Sequence, residues 1–156
     1  MNPQQILYDI LHRTTPCYMT IRPSGIDLGN KRKLLPAIDC KILNFSAEKI
    51  LYRKQRPVCR LMNAVNAFDE SKGNCRQCLD RHRCIDQIGL DLLFENRRYR
   101  LCLAYTSAKN FLIYTSKIVE QKIEIHTIDT KLVVVNRGSW GELRFYRADI
   151  TPSPEN

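Results

Sequence analysis

Residues 90–105 have the sequence Leu-Asp-Leu-Leu-Phe-Glu-Asn-Arg-Arg-Tyr-Arg-Leu-Cys-Leu-Ala-Tyr, and this stretch decides the fold. Two apolar runs flank the polar tetrad at 95–98, which predicts two strands joined by a tight basic turn. The second run alternates, so its large side chains fall on one face of the pleat, namely Tyr99, Leu101, Leu103 and Tyr105. The chain is therefore expected to contain a β-hairpin with one buried face.

The segments around this hairpin predict a mainly β domain that contains one helix. Upstream, residues 37–45 are strand-like. Downstream, Thr106 or Ser107 can cap a helix that ends near Glu120, and its apolar side is formed by Phe111, Leu112, Ile118 and Val119. Further strands are expected at 123–128, 132–135 and 143–146, the last two separated by a glycine-bounded turn at 136–141. An OB-fold has its helix between the third and fourth strands, so the predicted fold is a small OB-like barrel.

Three parts are expected along the chain. Residues 1–33 are predicted to form an arm, with a short amphipathic helix at 2–12 and a connector that holds at most a short strand at 18–21. Residues 34–150 are predicted to form the OB-like domain, with a cysteine-containing insert at 56–86. Two prolines in residues 151–156 indicate a disordered tail.

Four cysteines in a polar, arginine-rich segment have the spacing of metal ligands: Cys59-x15-Cys75-x2-Cys78-x5-Cys84. A Cys-x2-Cys turn presents two sulfurs to one ion, and two flanking cysteines can complete a tetrahedron with Zn–S distances near ~2.3 Å. The spacing therefore predicts one structural Zn²⁺ that staples the insert. His82 is an alternative to one of the cysteine ligands, and a set of unlinked buried thiols is the alternative to a metal site.

Composition predicts a soluble, cytoplasmic protein. The 156 residues show neither a secretory leader pattern nor an apolar run of the ~18 residues that cross a membrane. The seven cysteines are odd in number and unevenly spaced, which suits a reducing compartment and metal ligation. Cys17, Cys40 and Cys102 lie among apolar neighbours and are expected to be small core residues.

The charge balance favours a polyanionic partner. Lys and Arg number 25 against 16 Asp and Glu, which gives a formal charge of +9, and phosphate backbones are the commonest polyanions inside cells. Basic residues alternate with aromatic ones, as in proteins where cations follow phosphates and rings stack on bases. The candidate nucleic-acid-binding residues are Tyr52, Arg53, Lys54, Arg56, Arg97, Arg98, Arg100, Trp140, Arg144 and Tyr146. The alternatives are a basic surface that serves solubility and aromatic residues that fill the barrel.

Three motifs together resemble a family of small zinc-containing, OB-like single-stranded DNA-binding proteins carried by phages and other mobile elements. They are Arg56-Pro-Val-Cys-Arg, Gly73-Asn-Cys-Arg-Gln-Cys followed by Cys84, and Leu103-Ala-Tyr-Thr-Ser-Ala-Lys-Asn-Phe. The resemblance spans residues 56–146 and implies zinc ligation by the four matched cysteines. It also implies single-stranded DNA binding in replication or recombination. The tryptophan often found near the second cysteine pair of that family is missing here.

The expected function is sequence-nonspecific binding of single-stranded DNA, with RNA and a replication or recombination protein as further candidate partners. No enzyme is expected, because the chain has no phosphate-binding glycine loop, dinucleotide fingerprint or nucleophile elbow, and its three histidines are scattered. Two alternatives remain open: a zinc-knuckle adaptor that docks onto a replication, transposition or defence protein, and a regulator that binds duplex DNA. No membrane association is expected.

Overall fold

The computed structural model describes residues 17–29, 33–54, 56–62 and 84–150, and between 50 and 62 it describes the backbone with only the Lys54 side chain. The described chain forms a curled mixed sheet of eight strands with one α-helix, so the predicted mainly β, barrel-like fold class is confirmed. The strands are β1 Cys17–Arg22, β2 Gly25–Asp27, β3 Ala37–Arg53, β4 Arg56–Met62, β5 Ile85–Phe94, β6 Arg97–Ala104, β7 Asp129–Asn136 and β8 Gly141–Arg147. The helix, α1, spans Tyr105–Glu120.

The long strand β3 organises the sheet. Lys41 pairs with Leu93 of β5 on one edge and with Asp129 of β7 on the other. Further along, Glu48 pairs with Gln87 of β5 and with Met62 of β4. The continuous strand order is β2-β1-β6-β5-β3-β7-β8, with β4 paired to β3 beside this path. Strand β3 therefore holds β7 and β4 on one edge and β5 along most of the other.

The predicted hairpin is confirmed, with a tighter turn than expected. Only Glu95 and Asn96 connect the strands, and both have positive φ, 49° and 60°. Two such residues form the loop that matches the twist of a two-stranded ribbon, and Asn tolerates this conformation well. Arg97 and Arg98 consequently belong to β6 rather than to the turn.

The core lies between the concave face of the sheet and α1. Phe111 of the helix contacts Phe45 and Phe145 edge to face, with ring centroids 5.1 and 5.2 Å apart. As predicted, one face of β6 is buried through Tyr99, Leu101 and Leu103. Such burial of large apolar side chains contributes about 1.5–3 kcal/mol for each of them.

The helix differs from the prediction at its start and on its apolar side. The helix begins at Tyr105, so this side chain is exposed at the helix start and is not buried in a strand as predicted. The residue at the cap position is Ala104, which makes no side-chain hydrogen bond to the helix. The Ser107 hydroxyl, expected to cap, instead accepts a hydrogen bond from the Leu143 amide at 3.0 Å. The side of the helix that packs on the sheet carries Phe111, Tyr114 and Ile118, so Leu112 and Val119 are exposed.

Other expectations need correction, and some lie outside the described residues. The short strand allowed at 18–21 is present as β1, Cys17–Arg22, and β2 at Gly25–Asp27 is an additional strand that was not predicted. The strand expected at 123–128 is a short 3₁₀ turn at Ile125–Thr127. Cys40 is buried as predicted, whereas Cys17 is exposed and Cys102 half-buried.

The helix expected at 2–12 and the tail at 151–156 are not described. No helix in the described ranges is long and apolar enough to cross a membrane.

Candidate nucleic-acid interface

A groove of about 820 Å³ opens where the end of β6 and the start of α1 meet β1 and the β7–β8 turn. Its volume is within the range of protein pockets that hold organic ligands. The side chains that matter for its chemistry are Tyr18, Thr20, Gln87, Cys102, Tyr105 and Trp140. Because these residues are distant in sequence, the groove exists only in the folded chain.

Three aromatic side chains line the groove and are exposed to solvent. Tyr18 is 56% exposed, Tyr105 76% and Trp140 45%. They belong to three separate elements, namely β1, α1 and the turn before β8. Rings with this exposure contribute little to the core and are accessible to a planar ligand that enters the groove.

A close approach of β8 to β1 places Trp140 at this groove. A Cβ atom on Gly141 would clash with the carbonyl oxygen of Arg22 and would lie 3.0 Å from Cγ2 of Ile21. Only glycine therefore lets β8 begin so near the end of β1. The neighbouring residue Trp140 is brought to the same groove as Tyr18 by this contact.

The start of α1 gives the groove a positive end. Tyr105 has φ of 48°, which is uncommon for a bulky side chain and orients the chain from β6 into the helix. The first turn has no side-chain cap bond from Ala104 and contains no acidic residue. The amide groups of a helix N-terminus carry partial positive charge, so this end of α1 attracts anions.

A buried ionic cluster lies beside the groove floor. Arg100 donates to Oε1 of Glu48, and its Nη1 is 3.1 Å from Oδ1 of Asp91. Cys102, which lines the groove, donates its thiol to Oε2 of Glu48 at 3.7 Å. Burial opposes the charged guanidinium, but the hydrogen bond and charge of Glu48 and the charge of Asp91 raise the pKa of Arg100. Arg100 therefore stays charged inside the protein.

Two residues of the predicted arginine cluster in β6 are consequently structural. Arg100 is buried and engaged by two carboxylates, so it does not face solvent as expected. Arg98 is 15% exposed, with Nη2 3.4 Å from Oδ1 of Asp91. Only Arg97 of the three is exposed. The sequence could not reveal this, because the acidic partners belong to other strands.

The backbones of the two predicted basic clusters, at residues 53–54 and 97–100, lie far apart along β3. Arg98 lies in register with Leu93, which pairs with Lys41 near the start of β3. The other cluster, at Arg53 and Lys54, is at the far end of β3, about 40 Å of strand away at ~3.3 Å per residue. Lys54 is exposed, and the side chains of Tyr52, Arg53 and Arg56 lie outside the described part.

Arg144 and Tyr146 belong to a different cleft, between α1 and β8. Arg144 Nε is 3.2 Å from Oε2 of Glu142, and Arg137 Nη2 is 2.8 Å from the same oxygen. The hydrogen bond from Arg137, together with that from Arg144, lowers the pKa of Glu142 in spite of its burial. Among the predicted nucleic-acid residues whose side chains the structure describes, only Trp140 therefore lines the aromatic groove.

The predicted metal ligands lie mainly outside the described residues. Cys75 and Cys78 are not described, Cys59 is described as backbone only, and Cys84 is half-buried just before β5. Cys59 pairs with Leu51 of β3, and Ile85 pairs with the adjacent Ile50 on the opposite edge. The outer two cysteines thus lie at the same end of β3, about two strand spacings or ~10 Å apart. This placement brings the backbones at both ends of the insert to one end of β3.

Tyr18 and Tyr105 are the site residues that sequence reasoning missed. Tyr18 lies next to Cys17 in a segment interrupted by proline and glycine, and Tyr105 continues the alternating pattern of β6. The sequence contained one signal for both residues: each is an aromatic side chain in a chain whose net positive charge indicates a polyanionic partner.

No protein-family model matches the chain, and neither a curated protein nor a solved structure matches it. The functional proposal therefore rests on the chain's own residues.

Proposed function

We propose that this protein binds single-stranded DNA without sequence preference, through the groove lined by Tyr18, Tyr105 and Trp140. The observation that carries the proposal is the presence of three exposed aromatic rings, from three elements, in one groove of about 820 Å³. Every base has a π-face, so stacking on such rings contributes about 1–3 kcal/mol per base without reading sequence. Duplex DNA keeps its bases stacked on one another and offers no free face to these rings.

Charge supports an anionic ligand. The chain has a formal charge of +9, which raises the local concentration of polyanions. In the groove itself, the uncapped N-terminus of α1 is the positive group, since no acidic side chain occupies its first turn. A backbone phosphate beside Thr106 would place the adjoining bases near Tyr105 and Trp140.

The strand pairing supports an OB-like barrel as the finer fold assignment. If β3, β5, β6, β7 and β8 are the five OB strands, the first pairs with the second and with the fourth, and the helix follows the third. Strand β1, parallel to β6, then lies beside the third strand as an addition. In OB-folds, the face of the second and third strands and the adjacent loops bind oligonucleotides, and the groove includes Gln87 and Cys102 of that face.

The proposal includes a structural role for zinc and a role in replication or recombination of a phage or mobile element. Zinc bound by Cys59, Cys75, Cys78 and Cys84 would hold the two ends of the insert together and would supply no reactive position, because four thiolates close its coordination. The resemblance of the cysteine motifs supports the biological setting. The binding function requires no catalytic group.

Fluorescence anisotropy with a labelled oligothymidine of about 16 nucleotides, at low and moderate salt, tests the proposal. The same titration with a duplex of equal length and with an RNA oligomer gives the preference. We expect tight binding to the single strand, weaker binding to the duplex, and loss of affinity as salt rises. Absence of binding to oligothymidine at low salt would leave the adaptor function as the better one. A preference for duplex would favour a regulator of double-stranded DNA.

A further inference from the structure

A second, smaller cleft of about 290 Å³ lies between the outer side of α1 and β8. It is separate from the aromatic groove, since the two share no lining residue. Its chemistry is set by Asn110, Ile113, Lys117, Glu142, Arg144 and Tyr146. The Asn110 amide donates to the carbonyl oxygen of Leu143 at 3.1 Å, so the helix is fixed against the strand at this cleft.

One side of the cleft is apolar and open to solvent. Ile113 is 47% exposed, and its neighbour Leu112 is 52% exposed. The helix does not need these side chains for folding, because Phe111, Tyr114 and Ile118 pack it against the sheet. Ile113 lines the cleft, whereas Leu112 does not, so Ile113 is the exposed aliphatic side chain on which an apolar group in the cleft would pack.

The cleft is also cationic, with Lys117 one helical turn beyond Ile113 on α1 and Arg144 on β8. The carboxylate of Glu142 already accepts hydrogen bonds from Arg137 and Arg144, so two guanidinium groups balance its single negative charge. Lys117 is exposed and has no ion-pair partner within the described residues. The cleft therefore combines an aliphatic wall with an excess of positive charge.

We infer that this cleft binds a short segment of a partner protein that combines acidic side chains with a large apolar one. The apolar side chain would pack on Ile113, and a carboxylate would reach Lys117 and Arg144. A second copy of this chain fits less well, because two molecules that each carry +9 repel one another. Nucleic acid also fits less well, because the exposed apolar side chain of the cleft, Ile113, is aliphatic and the Tyr146 ring is only half-exposed. This inference is independent of the proposed DNA binding.

Selection of random peptides displayed on phage, with the full-length chain as bait after nuclease treatment, tests the inference. We expect selected peptides to share Asp or Glu next to Leu, Ile or Phe. The strongest peptide, labelled for anisotropy, should lose affinity about tenfold or more with Lys117→Glu and with Ile113→Asp. Lys33→Glu makes the same charge change at an exposed residue that lines neither groove nor cleft, and should have little effect. Thermal melting of each variant confirms that it is folded.

Several results would overturn the inference. They are failure to select any peptide, selected peptides without acidic residues, or equal peptide affinity in wild type and Lys117→Glu. A loss of oligothymidine affinity in Lys117→Glu, with peptide affinity retained, would assign the cleft to nucleic acid. Sedimentation that shows a dimer dispersed by Ile113→Asp would assign it to a second copy. Because the DNA titration uses a different groove, its failure would leave the peptide result interpretable.

Discussion

Arg100 donates a hydrogen bond from Nη2 to Oε1 of Glu48, and both side chains are buried, with 6% and 0% exposure. The two residues belong to β6 and β3, and the pair crosses the intervening strand β5 at Gly89. A Cβ atom on Gly89 would clash with Nη2 of Arg100 and lie 2.5 Å from Oε1 of Glu48. The absence of a side chain at this position therefore permits the ion pair.

Arg100→Met should destabilise the protein by about 3–5 kcal/mol, because it leaves the buried Glu48 carboxylate without the guanidinium that balances its charge. Urea denaturation followed by circular dichroism measures the change. Arg97→Met is the matched control, since Arg97 is exposed on the same strand and should change stability by less than about 0.5 kcal/mol. Equal stability of the two variants would contradict a buried, paired Arg100.

Gly89→Ala should destabilise the protein through the clash with the ion pair rather than through backbone strain. The test is a double-mutant cycle with Glu48→Met and Arg100→Met combined, which removes both clashing side-chain ends. We expect Gly89→Ala to cost clearly less free energy of unfolding in that background than in the wild type. Additive effects would show that the clash is not the cause.

Stability should fall in acid partly through Glu142. Its pKa is lowered below the ordinary value of 4.5, chiefly by the hydrogen bond from Arg137. The stabilisation is therefore fully present above about pH 4.5 and is lost as pH falls through the lower folded-state pKa. The stability difference between wild type and Glu142→Gln should be largest near neutral pH and shrink in acid. Urea denaturation at several pH values measures it, and Glu120→Gln controls for the loss of one carboxylate.

The zinc assignment predicts one ion per chain. Cys75→Ser and Cys78→Ser should each lose it, because three sulfurs do not complete the tetrahedron. Both variants should also melt earlier, since the binding energy of a structural zinc is largely folding energy. Atomic spectroscopy of the purified chains measures the metal. Cys17→Ser should retain it, because Cys17 is exposed on β1 and outside the motif. An unchanged one-to-one stoichiometry in all variants would refute the four-cysteine site.

Local signals explain what could be predicted from the sequence. The hairpin was predictable because Glu95-Asn96 marks a turn and the alternation in β6 marks a buried face. Strand β3 was predicted too short, because polar residues such as Ser46 and Glu48 obscure a strand that continues to Arg53. Strand β1 was predicted too short and β2 was missed, because Pro23 and Gly25 indicate a loop.

Long-range pairing explains what could not be predicted. Arg100 has the same local context as an exposed strand arginine, and its partner Glu48 is 52 residues away in sequence. The same holds for the groove, where Tyr18 and Trp140 meet only because β8 begins against β1. Trp140 was predictable as a surface residue from its position between Ser139 and Gly141. The roles expected for the cysteines of the insert stay predictions.

The groove residues and the salt dependence of binding together test the proposed DNA site most directly. Trp140→Ala and Tyr105→Ala should each lower oligothymidine affinity by about 1–3 kcal/mol, or about 5- to 150-fold, if each ring stacks on one base. The slope of log affinity against log salt should stay nearly unchanged, because that slope counts phosphate contacts at about 0.7 per contact and a stacked ring makes none. Anisotropy titrations at several salt concentrations measure both quantities.

Tyr146→Ala is the matched aromatic control, since Tyr146 lines the cleft between α1 and β8 and not the groove. It should leave both the affinity and the salt slope unchanged. A strong loss in Tyr146→Ala with no loss in Trp140→Ala would move the DNA site to the cleft. If all three variants bind as wild type, neither Trp140 nor Tyr105 stacks on a base, and the proposed DNA site in the aromatic groove is wrong.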